Sequence, residues 1–178
     1  EQLSTHREVA LKLMTSRGMC AGKAQARFAR EVELTARLDH PNIGRVYDSG
    51  VCRGACYYAM ELIDGMPLDR YVQRMALSAR QILVLMRSVC QAVHYAHLHG
   101  VIHRDLKPSN IMVSHDGQPH VLDFGLARSF LHEEEAVTIS LEGEIAGTPA
   151  YMSPEQALGR QNQIDTRTDV FSLGVILY

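Results

Sequence analysis

The stretch that most constrains this chain is His103-Arg104-Asp105-Leu106-Lys107-Pro108-Ser109-Asn110, followed after a short link by Asp123-Phe124-Gly125. It gathers three side chains that serve as oxygen ligands or bases: Asp105, Asn110 and Asp123. Hard divalent cations take oxygen ligands of this kind. A carboxylate beside them can orient a hydroxyl and accept its proton. The chain has 178 residues, 46% of them hydrophobic, which is enough for one good core or most of two small lobes around such a site.

The bulk numbers exclude several classes. A net charge of −2 gives no electrostatic case for a nucleic-acid or membrane surface. The longest apolar runs, such as Ile82–Met86 and Gly174–Tyr178, are far too short to span a bilayer. No secretory signal is visible at Glu1. The four cysteines, Cys20, Cys52, Cys56 and Cys90, lack metal spacing and read as reduced thiols of a cytosolic protein. Cys52 and Cys56 flank Arg53-Gly54-Ala55, which reads as a hairpin turn.

Along the chain, Glu8–Met14 surrounds one lysine, Lys12, with apolar residues, as in a strand carrying a single functional side chain. A snorkelling surface lysine is the alternative. Gly18–Ala24 imitates a phosphate-binding loop but is one residue short between its glycines. It also has Ala24 where a hydroxyl must reach magnesium, so it reads as a linker. A helix is predicted over 23–38, with Ala24, Phe28, Val32, Ala36 and Leu38 as its apolar stripe. Pro41 ends it. Strands are predicted near 44–51 and 56–62. Ser78-Ala79-Arg80-Gln81 is a capping box that opens a long helix to about His97, burying Ile82, Leu85, Met86, Val89 and Val93. His94, His97, His99 and His103 cluster at its end, but no Cys or acid completes a metal set, and a solvated or packed helix end is the reading preferred. Val101-Ile102 is predicted as a short strand. Residues 126–155 form a long, largely polar segment, which in a compact domain is functional or mobile.

These motifs, in this order and over nearly the whole chain, resemble the eukaryotic-type protein kinases, in a bacterial-looking branch. The resemblance implies a role for each matched residue. Asp105 orients the attacking hydroxyl and accepts its proton; Lys107 neutralises charge on the transferring group; Asn110 and Asp123 hold Mg2+. Lys12 grips the α- and β-phosphates of ATP and is latched by an ion pair to Glu31, preferred to Glu33 by register. Alternatively, both glutamates simply solvate a helix face. Met60 matches the gatekeeper, and Glu61 and Ile63 match positions that offer backbone groups to adenine. His103 is expected to pack beneath Phe124, Gly125 to permit the backbone reversal at Asp123, and Asp169 to bond the backbone of the catalytic loop. Gly147–Glu155 resembles the substrate-docking segment, with Ser153 where alanine is commoner. Lys107 and Gly147-Thr148-Pro149 resemble the Ser/Thr branch.

The implied fold is α+β and two-lobed: a small antiparallel sheet with one helix over 1–63, then a mostly helical lobe over 64–178 ending in the central helix. The implied function is transfer of the γ-phosphoryl group of ATP to Ser or Thr of a protein substrate, in the cytoplasm. Nucleic acid is not expected as a partner, nor a membrane segment within these residues; regulatory domains or an anchor would lie outside them. No Gly-x-Gly-x-x-Gly precedes Lys12, so a domain truncated at both ends, with weak activity by itself, is expected. Two rival readings are a nucleotide-binding pseudokinase scaffold and a small-molecule phosphotransferase, which generally lacks the docking pattern. In this family the arginine matching Arg104 pairs with an activation-loop phosphate; Thr138, Ser140 or the permanent carboxylate Glu142 would supply that charge here.

Overall fold

The computed structural model describes residues 7–14, 22–124 and 149–178. Strands β1 (Val9–Met14), β2 (Val46–Cys52) and β3 (Ala55–Glu61) form an antiparallel sheet in the order β1-β3-β2. The link between β2 and β3 is the expected hairpin: Arg53 and Gly54 both take positive φ, 51° and 80°, as a tight two-residue turn requires. Cys56 is buried and disulfide-bonded, which corrects the expectation of reduced thiols at that position; among the described residues Cys52 and Cys90 are free.

Helix α1 (Lys23–Ala36) packs on this sheet. Phe28 and Val32 face inward with Cys56, Tyr58 and Met60, one small core. Ala36, expected in the stripe, is exposed, and Thr35 is buried instead. The Thr35 hydroxyl bonds back to Glu31 O at 2.9 Å, which satisfies it within the helix.

A second sheet, β4 (Gly65–Pro67), β5 (Ile111–Ser114) and β6 (Pro119–Val121), is antiparallel in the order β4-β5-β6. Gly65 lets β4 meet β5 closely, since a Cβ there would lie 2.2 Å from Val113 O. Helices α2 (Leu68–Arg74) and α3 (Ala79–Leu98) follow β4, and α4 (Pro154–Ala157) and α5 (Thr166–Leu177) come later. The capping box of α3 is formed: Gln81 N donates to Ser78 Oγ at 3.4 Å, and Ser78 N donates to Gln81 Oε1 at 2.9 Å. Leu85, Met86, Val89 and Val93 are buried as the periodicity predicts, Ile82 partly, and they form the large core with Ile111, Val113, Val121 and Phe124.

Val101-Ile102 is not a strand; the chain enters the following loop without pairing to a sheet. Val101 N instead closes the helix end on Ala96 O at 3.0 Å. Helix α5 begins at Thr166 because Asp165 caps it by accepting from Arg167 N at 2.8 Å.

The two halves meet along a seam between the loop that follows α1 and strand β6. Val121 N donates to Asn42 O, Gly44 N donates to Val121 O, and Asn42 Nδ2 donates to Pro119 O, all within 3.0 Å. This fixes the loops after α3 and β6 beneath the first sheet, where the polar residues converge.

Candidate active site

The loop between α3 and β5 is held from below. Asp169 of α5 is fully buried and accepts from His103 N and Arg104 N, each at 2.8 Å, while His97 Nε2 lies 2.7 Å from its Oδ2. Burial alone would raise the Asp169 pKa. The His97 bond, the nearby His103 ring and the two backbone N–H groups outweigh it, so the carboxyl is held below its ordinary range. An ionised carboxylate only accepts, so His97 Nε2 carries the proton. His103 is fully buried, its ring 4.8 Å from that of Phe124, with Nε2 2.8 Å from Leu122 O. Burial pushes its pKa down, against an opposing pull from Asp169. His97 and His103 thus serve one carboxylate as structural props. His99 stacks on Tyr95 at 4.2 Å.

With the loop anchored, Asp105 faces the seam. Lys107 Nζ is 2.9 Å from Asp105 Oδ2, and Asn110 Nδ2 donates to Asp105 O at 2.8 Å and to Oδ2 at 3.1 Å. Asn110 therefore commits its amide nitrogen to Asp105, so its amide oxygen is the atom left for a cation. Asp123 sits opposite on a left-handed backbone, φ 64°. Its Oδ2 pairs with Lys12 Nζ from β1, and its Oδ1 accepts from the Tyr58 hydroxyl at 2.6 Å. Lys12 is about half exposed; its burial, with help from Lys107, lowers its pKa, and Asp105 opposes this.

Glu31 does not meet Lys12 in this arrangement. Among the described residues Lys12 pairs with Asp123, and Glu31 Oε1 with Arg104 Nη1 at 3.5 Å. The reason is where the elements put them. Lys12 lies opposite Tyr58 in the β1–β3 register, so both point at Asp123, while Glu31 leaves α1 toward the loop carrying Arg104.

Met60 is buried in the small core. Glu61 N–H already donates to Arg45 O at 2.8 Å, so that amide is engaged within the fold and its carbonyl is the group to consider for adenine. Ile63 is half-buried on the link between the sheets. Ser153 is fully buried at the start of α4, where Gln156 links its N–H (3.1 Å) to Arg104 O (2.7 Å). Tyr58 and Gln156 are contacts that motif reading missed. Nothing in the strand marked Tyr58, which stands beside Tyr57 with the same hydroxyl. Gly125, Thr138, Ser140, Glu142 and Thr148 lie outside the described residues.

Magnesium is commonly held by one or two carboxylates plus substrate phosphates, rather than by an all-protein cage. The donor chemistry here fits: one carboxylate, Asp123, and one amide oxygen, Asn110. No cluster of three or more His, Cys, Asp or Glu suited to a metal occurs among the described residues.

A small antiparallel sheet with its helix, set on a mostly helical body with the polar cluster at the seam, is the two-lobed α+β fold of the protein kinases. The protein kinase domain model matches residues 1–178, and the chain belongs to that family. It is 38% identical over 181 residues to the serine/threonine-protein kinase PknB of Mycolicibacterium smegmatis, covering 99% of this chain and 28% of that protein. Its identity to the serine/threonine-protein kinase pkn3 of Myxococcus xanthus is 40% over 183 residues, covering 99% of this chain and 33% of the relative. The chain thus spans about a third or less of these curated relatives. Among solved structures, the kinase domain of Mycobacterium tuberculosis PknI matches with a TM-score of 0.72 at 30% identity, covering 95% of this chain and 61% of that one.

Proposed function

We propose that these residues form the catalytic part of an ATP-dependent serine/threonine protein kinase, with residues 1–63 as its smaller lobe and 64–178 as its larger. The observation that carries this reading is the convergence of Lys12, Asp105, Lys107, Asn110 and Asp123 at one seam. The substrate hydroxyl would attack the γ-phosphorus of ATP as the bond to the ADP oxygen breaks, and its proton passes to the Asp105 carboxylate. Lys107, already 2.9 Å from that carboxylate, balances charge on the transferring group. Asn110 and Asp123 are the residues to hold Mg2+, which when bound neutralises charge on the phosphates. Lys12 binds the nucleotide phosphates. Met60, Glu61 and Ile63 border the adenine, through backbone groups at the latter two. Glu31, on α1, acts through Lys12 only after leaving Arg104, so its latch belongs to a state in which α1 has shifted.

The partner is a protein substrate in the cytoplasm. Among the described residues no helix is long and apolar enough to cross a membrane. Two substitutions test the mechanism in the protein at its natural length. Asp105→Asn should abolish turnover and spare Mg–ATP binding, whereas Asp123→Asn should weaken that binding. Full turnover in Asp105→Asn would overturn this mechanism, and nucleotide binding without turnover in the unsubstituted protein would favour a nucleotide-binding scaffold.

A further inference from the structure

Tyr58 stands where an apolar side chain would satisfy the packing. Its ring fills the small core between the first sheet and α1, 6.4 Å from the ring of Phe28, and the residue is only 1% exposed. Burying a phenol there is costly unless its hydroxyl finds a partner. The partner is Asp123 Oδ1, at 2.6 Å, the short distance typical of a hydroxyl donating to a carboxylate. Lys12, paired with Tyr58 across the β1–β3 ladder, takes the other oxygen. Both oxygens of Asp123 are therefore held by adjacent side chains of one sheet, although its backbone sits in the left-handed region that non-glycine residues rarely occupy.

Resting on the kinase reading above, we propose that Tyr58 is a positioning residue for magnesium: its buried hydroxyl fixes the Asp123 carboxylate, and so sets the strength with which the metal–nucleotide complex binds. A carboxylate oxygen has two lone pairs, so a bond from Tyr58 leaves Asp123 able to take a cation. What the bond removes is rotation of the carboxylate. Hydrogen bonds that orient a metal ligand commonly change metal affinity or activity 10- to 100-fold when lost. Burial raises the phenol pKa, so Tyr58 remains a donor through the neutral range.

The test uses the protein at its natural length and reads binding rather than turnover. Mn2+ replaces Mg2+ and is followed by electron paramagnetic resonance in the presence of ADP; binding of ADP alone is measured with chelator. Tyr58→Phe should weaken Mn2+ binding in the ADP complex about tenfold and leave metal-free ADP binding unchanged. Tyr58→Leu should do the same, and thermal unfolding of both variants confirms that they fold. Unchanged or tighter Mn2+ binding in Tyr58→Phe overturns the proposal. So does a defect confined to Tyr58→Leu, which would assign the residue to packing alone. Asp123→Asn separates this from the underlying reading. If it abolishes Mn2+ binding while Tyr58→Phe has no effect, only the role of Tyr58 fails; if Asp123→Asn has no effect either, the kinase site itself fails.

Discussion

Asp169→Ala should be among the most damaging single substitutions in the chain. The carboxylate is fully buried, 65 or more residues from the backbone it supports, and its two oxygens hold His103 N–H, Arg104 N–H and the His97 ring within 2.8 Å. Alanine leaves both backbone donors without their acceptor. At about 1–3 kcal/mol for each buried donor stranded, the loss is about 2–6 kcal/mol. That is a large share of the 5–15 kcal/mol that holds a typical domain together. Asp169→Asn keeps the volume and one acceptor. Its amide oxygen can take the Oδ2 place and serve His103 N–H and the His97 ring, and its amide nitrogen then faces Arg104 N–H donor to donor, which strands one group at about 1–3 kcal/mol. The order expected is therefore parent, Asn, Ala. Urea unfolding followed by circular dichroism, at equal m-values, reads this directly as a shift in midpoint. An Ala variant within 1 kcal/mol of the parent, or an Asn variant as damaged as Ala, would refute the view that α5 anchors the loop through this carboxylate.

Acid should destabilise the protein in two stages. The buried His103 has its pKa lowered from 6.5, so the fold keeps it neutral; its contribution is complete above that value and is lost as pH falls below it. Asp169, lowered from 3.8, adds a second loss at more acidic pH; flat stability from pH 7.5 to 5 would contradict the burial of His103. Ser78→Ala removes the α3 capping box and should cost about 1 kcal/mol, or roughly 2–4 °C in the thermal midpoint; no change would mean that α3 starts elsewhere. Ile111→Ala, at a fully buried core position on β5, should cost about 2–5 kcal/mol in urea unfolding.

The sequence by itself determined what depends on neighbours along the chain. Ser78 and Gln81 cap α3 because their reach spans one turn. Arg53-Gly54 turns the β2–β3 hairpin because glycine tolerates positive φ. The spacing of Leu85, Met86, Val89 and Val93 buries one face of α3 because the helix repeats every 3.6 residues. The order of the polar motifs marked the kinase family, and with it the placing of Asp169 beneath the loop. Only the tertiary structure decided which charges pair. Lys12 and Asp123 are 111 residues apart, Glu31 and Arg104 are 73, and Tyr58 and Asp123 are 65. Motif matching put Lys12 with Glu31 because it assigns partners by family register. The pairing found follows instead from Glu31 lying beside Arg104 and from the β1–β3 register that aims Lys12 and Tyr58 together. A hydroxyl in an apolar strand has no periodicity of its own, so Tyr58 became legible only when the fold brought Asp123 to within a hydrogen bond of it.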